Sequence, residues 1–213
     1  MEIDFAPLSP KERYKLLSGF IIPRPIAFVT TMGLDGAVNA APYSFFNVFG
    51  SDPALVVLGL GSRSDGSPKD TERNILDTGE FVVNMVDDPL AAAMNDCAVN
   101  FPPGVDELAE TGLSTEPSRE VKPPRIAESP VSFECRHVHS VKFKPGRTII
   151  LGEAVWMRAR DSVIDGKNLR VVDDAYRPVG RLYADLYAYQ SDRFEMTRQT
   201  YEEWTAERVE IDD

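Results

Sequence analysis

The chain has 213 residues, 43% hydrophobic and 27% charged, with a formal net charge of −11 at pH 7, the make-up of an ordinary water-facing globule long enough to bury a core. It carries no basic stripe, which argues against nucleic acid or an anionic membrane surface as a partner, and no apolar run of membrane-spanning length. The start, Met1-Glu2-Ile3-Asp4, lacks the cationic and apolar regions of a signal peptide, and the two cysteines, Cys97 and Cys135, sit in no metal-ligand or Cys-x-x-Cys pattern; free core thiols in a reducing cytoplasm are expected.

Ser9-Pro10-Lys11-Glu12 predicts a helix start: Ser9 caps, Pro10 fits the first turn and Glu12 completes a capping box, with Gly19 as the stop. The prolines of Ile22-Pro23-Arg24-Pro25 force an extended path. Ile26 to Thr31 reads as a strand, Gly33 to Gly36 as a turn, and Val38 to Val48 as extended. The unbroken apolar run Leu55 to Leu60 predicts a strand buried on both faces. After a Ser/Gly/Asp loop, Thr71 to Thr78 reads as a short helix closed by Gly79, followed by a strand over Phe81–Val86. A helix from Asp88-Pro89 carries Leu90, Ala91, Met94 and Cys97.

Residues 101–130 are rich in proline and poor in periodicity, and read as an irregular arm or lid with a short helix near Val105 to Glu110. Val131 to Phe143 alternates and pairs with Thr148 to Met157 across Lys144-Pro145-Gly146-Arg147, and Asp165-Gly166 marks a tight turn. From Asp185 to Asp213 nine acids face three bases, so the end of the chain, about 197–213, reads as a solubilising acidic tail in which Trp204 is a packing residue or an anchor on a second subunit. Many short strands, few helices and no βαβ alternation predict a mainly β protein, a barrel rather than a Rossmann sheet. No dinucleotide fingerprint or Walker loop is present, so a nucleotide cofactor would be held another way.

Two blocks carry candidate chemistry. In Lys69-Asp70-Thr71-Glu72-Arg73-Asn74, a helix N-terminus with a cation, a hydroxyl and an amide is an anion site in waiting. Arg63 and Ser64 in the preceding loop can approach the same anion. Three bases are matched by three acids between Arg63 and Arg73, so an ordinary capped surface helix is the simpler alternative. In Ala41-Pro42-Tyr43-Ser44-Phe45-Phe46-Asn47, Tyr43, Ser44 and Asn47 alternate with small and aromatic residues, offering polar partners and apolar cover for a planar cofactor; aromatics filling a barrel are the alternative. His137 and His139, two apart on a strand, would share a face, but no third ligand accompanies them and no metal is predicted.

These blocks carry a resemblance. Ile22 to Thr31, Asn39 to Ser44, Asp52-Pro53-Ala54 and Lys69-Asp70-Thr71 with Asn74-Ile75 resemble, in order and spacing, the flavin reductase-like family of FMN-binding split barrels, including its flavoredoxin-type branch. Ser129 to Cys135, Ile150 to Glu153, Pro178 to Leu182 and Phe194-Glu195-Met196 resemble later parts of that family. The resemblance implies one Greek-key FMN-binding split β-barrel domain over residues 1–213, a homodimer with FMN near the interface. It also implies that Tyr43, Ser44 and Asn47 lie by the flavin ring and ribityl chain, and Arg63, Ser64, Lys69, Thr71 and Asn74 by the phosphate. The activity it implies is hydride transfer from NAD(P)H to flavin, with no protein nucleophile or triad required. The alternatives are an FMN-bound electron carrier without nicotinamide turnover, and a flavin-free dimeric binding module. An electron-acceptor protein would be the further partner.

Overall fold

Seven strands build the main sheet: β1 (Ala27–Met32), β2 (Val38–Tyr43), β3 (Phe46–Ser51), β4 (Ala54–Gly61), β5 (Glu80–Met85), β6 (Val131–Lys144) and β7 (Arg147–Ala159). The structure, a computed structural model, describes residues 1–63, 65–99, 107–144 and 146–209. The strands run in the order β2-β1-β5-β6-β7-β4-β3, and every pairing is antiparallel. The two edges of this sheet, β2 and β3, are consecutive in the chain, with only Ser44 and Phe45 between them. A residue spans at most about 3.5 Å, so this link draws the edges together and curls the sheet into a barrel. Among the described residues no ladder joins β2 to β3, which leaves a seam at Ser44-Phe45.

The interior is filled by Ala27, Val29, Leu58, Leu60, Phe81, Val83, Cys135 and Ile150. Gly152 on β7 is required there, because a Cβ at that position would lie 2.3 Å from Cζ of Phe81. Helix α2 (Asp70–Thr78) adds Ile75 to the same core and ends at Gly79, whose φ of 74° supplies the left-handed cap. Helix α1 (Pro10–Phe20) starts with the expected capping box, Ser9 Oγ accepting from the Glu12 amide while the Glu12 carboxylate accepts from the Ser9 amide.

A second core lies outside the barrel wall. Ile26, Phe28 and Ala40 pack there against Leu90, Met94, Cys97, Leu108 and Ile126, so β1 is buried on both faces. The run Leu55 to Leu60 differs from expectation. Val56, Leu58 and Leu60 are buried, while Leu55, Val57 and Gly59 are half-exposed. Of its outer face, Leu55 borders a cleft and Gly59 lies under Phe45, with no second layer along the strand. Residues 38–48 are likewise two strands, broken at the seam. The turn after Asp165 is wider than a two-residue hairpin: Ile164–Asp165 pairs with Arg170–Val171.

The arm, so far as it is described, is held rather than loose. Its short helix Glu107–Glu110 covers the second core, and Thr115–Glu116 pairs with Arg125–Ile126. Part of the arm, residues 101–106, lies outside the described residues, as does Ser64. Two buried side chains fasten it. Glu134 on β6 accepts from the amides of Arg119 (2.9 Å), Glu120 (2.6 Å) and Val121 (3.3 Å). Asn84 on β5 accepts from the Ile126 amide and Ser132 Oγ, both at 2.9 Å, and donates to the Phe28 carbonyl and Thr30 Oγ1.

Candidate functional site

The first turn of α2 stands against the end of β2. Helix termini leave their first amides without intrahelical acceptors, and the residue capping this one, Lys69, offers no side-chain cap. Thr71 does not cap either. It is turned inward, buried, and its Oγ1 accepts from Asn39 Nδ2 of β2 at 3.0 Å. One turn later Asn74, also buried, donates to Thr31 Oγ1 of β1 at 3.1 Å. The Lys69 ammonium lies 5.8 Å from the centre of the Tyr43 ring. Four of the expected residues, Tyr43, Lys69, Thr71 and Asn74, therefore meet in one corner, with Asn39 and Thr31 as partners the sequence reading missed. Asn39 was legible as part of the Asn39 to Ser44 block; Thr31 looked like an ordinary strand residue.

The corner contains buried polar atoms without partners. The Tyr43 hydroxyl and one Glu72 carboxylate oxygen are enclosed and make no hydrogen bond; His137 Nε2, likewise unmatched, lies toward the other end of α2, where the His137 amide donates to the Gly79 carbonyl. Burial pushes the Tyr43 hydroxyl up to about 12, the carboxylates of Asp70 and Glu72 adding to the rise. Thr71 offsets part of it, without reaching hydrogen-bond geometry. The other oxygen of Glu72 accepts from Thr148 Oγ1 of β7 at 2.7 Å, and Glu72 has no cationic partner among the described residues. Leaving such atoms unpaired costs about 1–3 kcal/mol each, so this corner is energetically incomplete.

The remaining expected residues lie elsewhere. Arg63 pairs with Asp70, which also holds Arg73; its charge is engaged at the helix start. Ser44, on the seam, accepts from Arg24 Nε at 3.3 Å. Asn47 is exposed, and its Oδ1 accepts from the Val48 amide at 2.8 Å. It borders a cleft of about 330 Å³ lined mainly by Phe46, Val48, Leu55, Val56, Met85 and Phe133. Its walls are almost wholly apolar. The block from Tyr43 to Asn47 thus spans two environments: a polar corner at Tyr43 and an apolar cleft at Asn47, with the barrel seam between them.

His137 and His139 do not form a matched pair. His137 faces Gly152 and His139 faces Leu151, with a bulge at Val138. The extra residue breaks the period-two alternation; His139 is exposed while His137 is half-buried. Among the described residues no group of three His, Cys, Asp or Glu side chains is arranged to hold a metal ion.

The family model of the flavin reductase like domain matches residues 18–180. The chain belongs to this family. Among solved structures, the 2-nitrobenzoate 2-nitroreductase NbaA of Pseudomonas fluorescens superposes with a TM-score of 0.87 at 37% identity, covering 94% of this chain and 98% of that one. Component B of the nitrilotriacetate monooxygenase of Bacillus cereus does so with a TM-score of 0.87 at 31% identity, covering 92% and 98%. A flavin reductase with a split barrel domain from Shewanella frigidimarina matches at 0.76 and 18% identity, covering 92% and 94%, a likeness of fold. The seamed sheet is accordingly a split barrel. No helix among the described residues is long and apolar enough to cross a membrane.

Proposed function

We propose that this flavin reductase-like protein binds FMN and catalyses hydride transfer from NAD(P)H to flavin. The observation that carries the reading is the incomplete corner at α2, where free helix amides, the Lys69 ammonium and the Thr71 hydroxyl converge beside buried polar atoms that lack partners. Such a donor set suits a phosphate monoester. The apolar cleft beside Asn47 has the size and lining expected of a pocket for a planar ring.

The roles of the protein groups follow. Lys69, Thr71 and the first amides of α2 hold the phosphate, and Asn39 and Asn74 fix that turn against β1 and β2. Arg63 and Ser64 border the same anion. Ser44 and Asn47 meet the ribityl chain and the polar edge of the ring. The apolar walls exclude water from the reacting face. When bound, the flavin supplies the hydride-accepting chemistry, so no side chain has to serve as nucleophile.

The protein is further proposed to be a cytoplasmic homodimer with one domain per chain. The free edge of β3, where Val48 and Phe49 are each 70% exposed, is a surface that a second copy would cover while closing the cleft. Similarity to component B of a monooxygenase supports delivery of reduced flavin to a separate component. A second reading, direct reduction of a nitroaromatic compound, is favoured by the similarity to NbaA.

Titration of the purified protein with FMN, followed by flavin fluorescence, tests the cofactor; unquenched fluorescence at stoichiometric protein would sink both readings. Anaerobic mixing of the loaded protein with NADH or NADPH tests the reductase, through bleaching of the flavin absorbance. A flavin that binds but does not bleach identifies an electron carrier instead. Adding 2-nitrobenzoate under turnover separates the two acceptors.

A further inference from the structure

The chain leaves the barrel in an arm that the barrel does not cover. A small antiparallel sheet runs from Arg24–Pro25 through Val179–Arg181 to Tyr187–Tyr189, and the arm departs from its last strand. Arg193 fastens the root: it donates to the carbonyls of Gln190 (3.0 Å) and Tyr176 (3.2 Å) and pairs with Asp173. From Phe194 to Gln199 the chain is neither helix nor turn, and none of its backbone groups bonds another backbone group among the described residues. Phe194 and Met196 are 84% and 82% exposed. Residues two apart share a face of an extended chain, so the arm shows solvent an apolar edge.

The far end of the arm is a formed element. The helix Tyr201–Val209 opens with a capping box, Thr200 Oγ1 accepting from the Glu203 amide at 3.2 Å while the Glu203 carboxylate accepts from the Thr200 amide at 2.7 Å. Segments that stay disordered are poor in large apolar groups. This one has a fixed root, an apolar stretch and a capped end, and lacks a surface to lie on.

The same chain has such a surface open. The cleft is apolar on nearly every wall, and Pro25, which pairs with Gly180 in the small sheet, forms part of its rim. Val48 and Phe49 stand exposed beside it on the unpaired edge of β3. Phe194 and Met196 do not line the cleft of their own chain. At about 3.5 Å per residue, the stretch from Phe194 to Gln199 spans about 20 Å, enough to cross onto a neighbouring copy.

We infer that the arm is exchanged between two copies of this chain, with Phe194 and Met196 lying over the cleft of the second copy. Each cleft is then complete only when the other copy's arm covers it. What the cleft holds rests on the flavin reading; the exchange does not.

Cysteine pairing tests the exchange without flavin. In an Ala54→Cys, Met196→Cys chain one thiol stands on the cleft wall and the other on the arm, while Cys97 and Cys135 are buried. Mild oxidation should give a covalent dimer on a non-reducing gel. A linked monomer would show that the arm closes its own cleft, and the absence of any link would show that it lies elsewhere; either result overturns the inference. Sedimentation of a Phe194→Ser, Met196→Ser variant is the second measurement. Both side chains are exposed within the single chain, so thermal unfolding should show the variant folded, while its dimer should dissociate about tenfold more readily than the parent's. A parent that stays monomeric, or a variant dimer as tight as the parent's, overturns the inference as well. FMN affinity should fall roughly tenfold in the variant, and should recover on mixing with Lys69→Ala chains, because one copy then supplies the corner and the other the arm. FMN affinity unchanged in a variant whose dimer has weakened would overturn the placement over the cleft. A covalent dimer formed by a parent that binds no FMN would reject the flavin reading and leave the exchange standing.

Discussion

Two buried polar regions flank the same barrel and are finished to different degrees. Around Asn84 and Glu134 both side chains are matched: four hydrogen bonds at the amide, and three backbone donors on the carboxylate. Around α2 the Tyr43 hydroxyl, a Glu72 oxygen and His137 Nε2 are enclosed and unmatched. The first region joins the arm to the barrel and needs nothing from outside. The second has donors and acceptors that the chain itself does not satisfy. Buried polar groups are paired as a rule, so the two regions differ in whether the chain alone completes them.

Breaking the finished region should have the largest effect. Asn84→Ala strands the Ile126 amide and the Ser132 hydroxyl in a dry interior, and should cost about 3–5 kcal/mol in urea unfolding. Flavin affinity of the molecules that remain folded should be nearly unchanged. A loss below about 1 kcal/mol would mean that water replaces the amide and that the arm is loosely held.

The unfinished region should respond in the opposite way. Lys69→Ala should leave unfolding within about 0.5 kcal/mol of the parent, since the half-buried ammonium makes no ion pair among the described residues. FMN affinity should fall about tenfold, the worth of one charge-assisted contact. Full retention of FMN affinity in Lys69→Ala and in Thr71→Ala would remove the phosphate assignment. Tyr43→Phe deletes an unmatched hydroxyl, and should stabilise the flavin-free protein by about 1 kcal/mol while weakening FMN binding. If that variant is instead less stable and binds FMN normally, the hydroxyl has a partner within the protein, and the contrast loses one of its members.

The smallest expected effect concerns Asp87, which lies with one oxygen buried and unmatched while Arg160 Nη1 approaches the other at 3.6 Å. Burial holds its carboxyl above the ordinary 3.8 despite the arginine. The folded state therefore binds a proton more readily than the unfolded one, and stability falls as pH rises from 3.8 through the raised value. Asp87→Asn should remove that pH dependence and gain up to about 1 kcal/mol at neutral pH. Unfolding measured from pH 4 to 7 in parent and variant checks it; parallel curves would show that Arg160 already balances the charge.

Local chemistry made much of this legible in the sequence. Ser9-Pro10-Lys11-Glu12 and Gly79 act through their nearest neighbours, the first starting α1 and the second closing α2 as read, whereas Gly19, read as the stop of α1, lies inside that helix. The Lys69 to Asn74 spacing placed Thr71 and Asn74 on one side of α2; that this side is buried was not legible. What a single chain conceals is pairing across long separations. Leu55 to Leu60 looked covered on both faces because an apolar run does not say whether a second layer or a cleft borders it. The two histidines looked like a pair because a bulge at Val138 leaves no mark in composition. Glu134 and Asn84 read as ordinary strand residues until the arm came to rest on them. The ion pair of Arg63 with Asp70 likewise left no mark in the local pattern.

The β6–β7 hairpin has a kinetic consequence. Its ladder joins consecutive strands, so its closure needs only a short loop, a matter of microseconds. Its two outer partners are remote: β5 brings Glu80 to Arg136, and β4 brings Gly61 to Arg147. The barrel should therefore assemble from a preformed central hairpin, with its speed set by the capture of these distant strands. A chevron series would register this as folding rates that respond to substitutions in β4 and β5 more than to those at the seam, the join that the chain completes last.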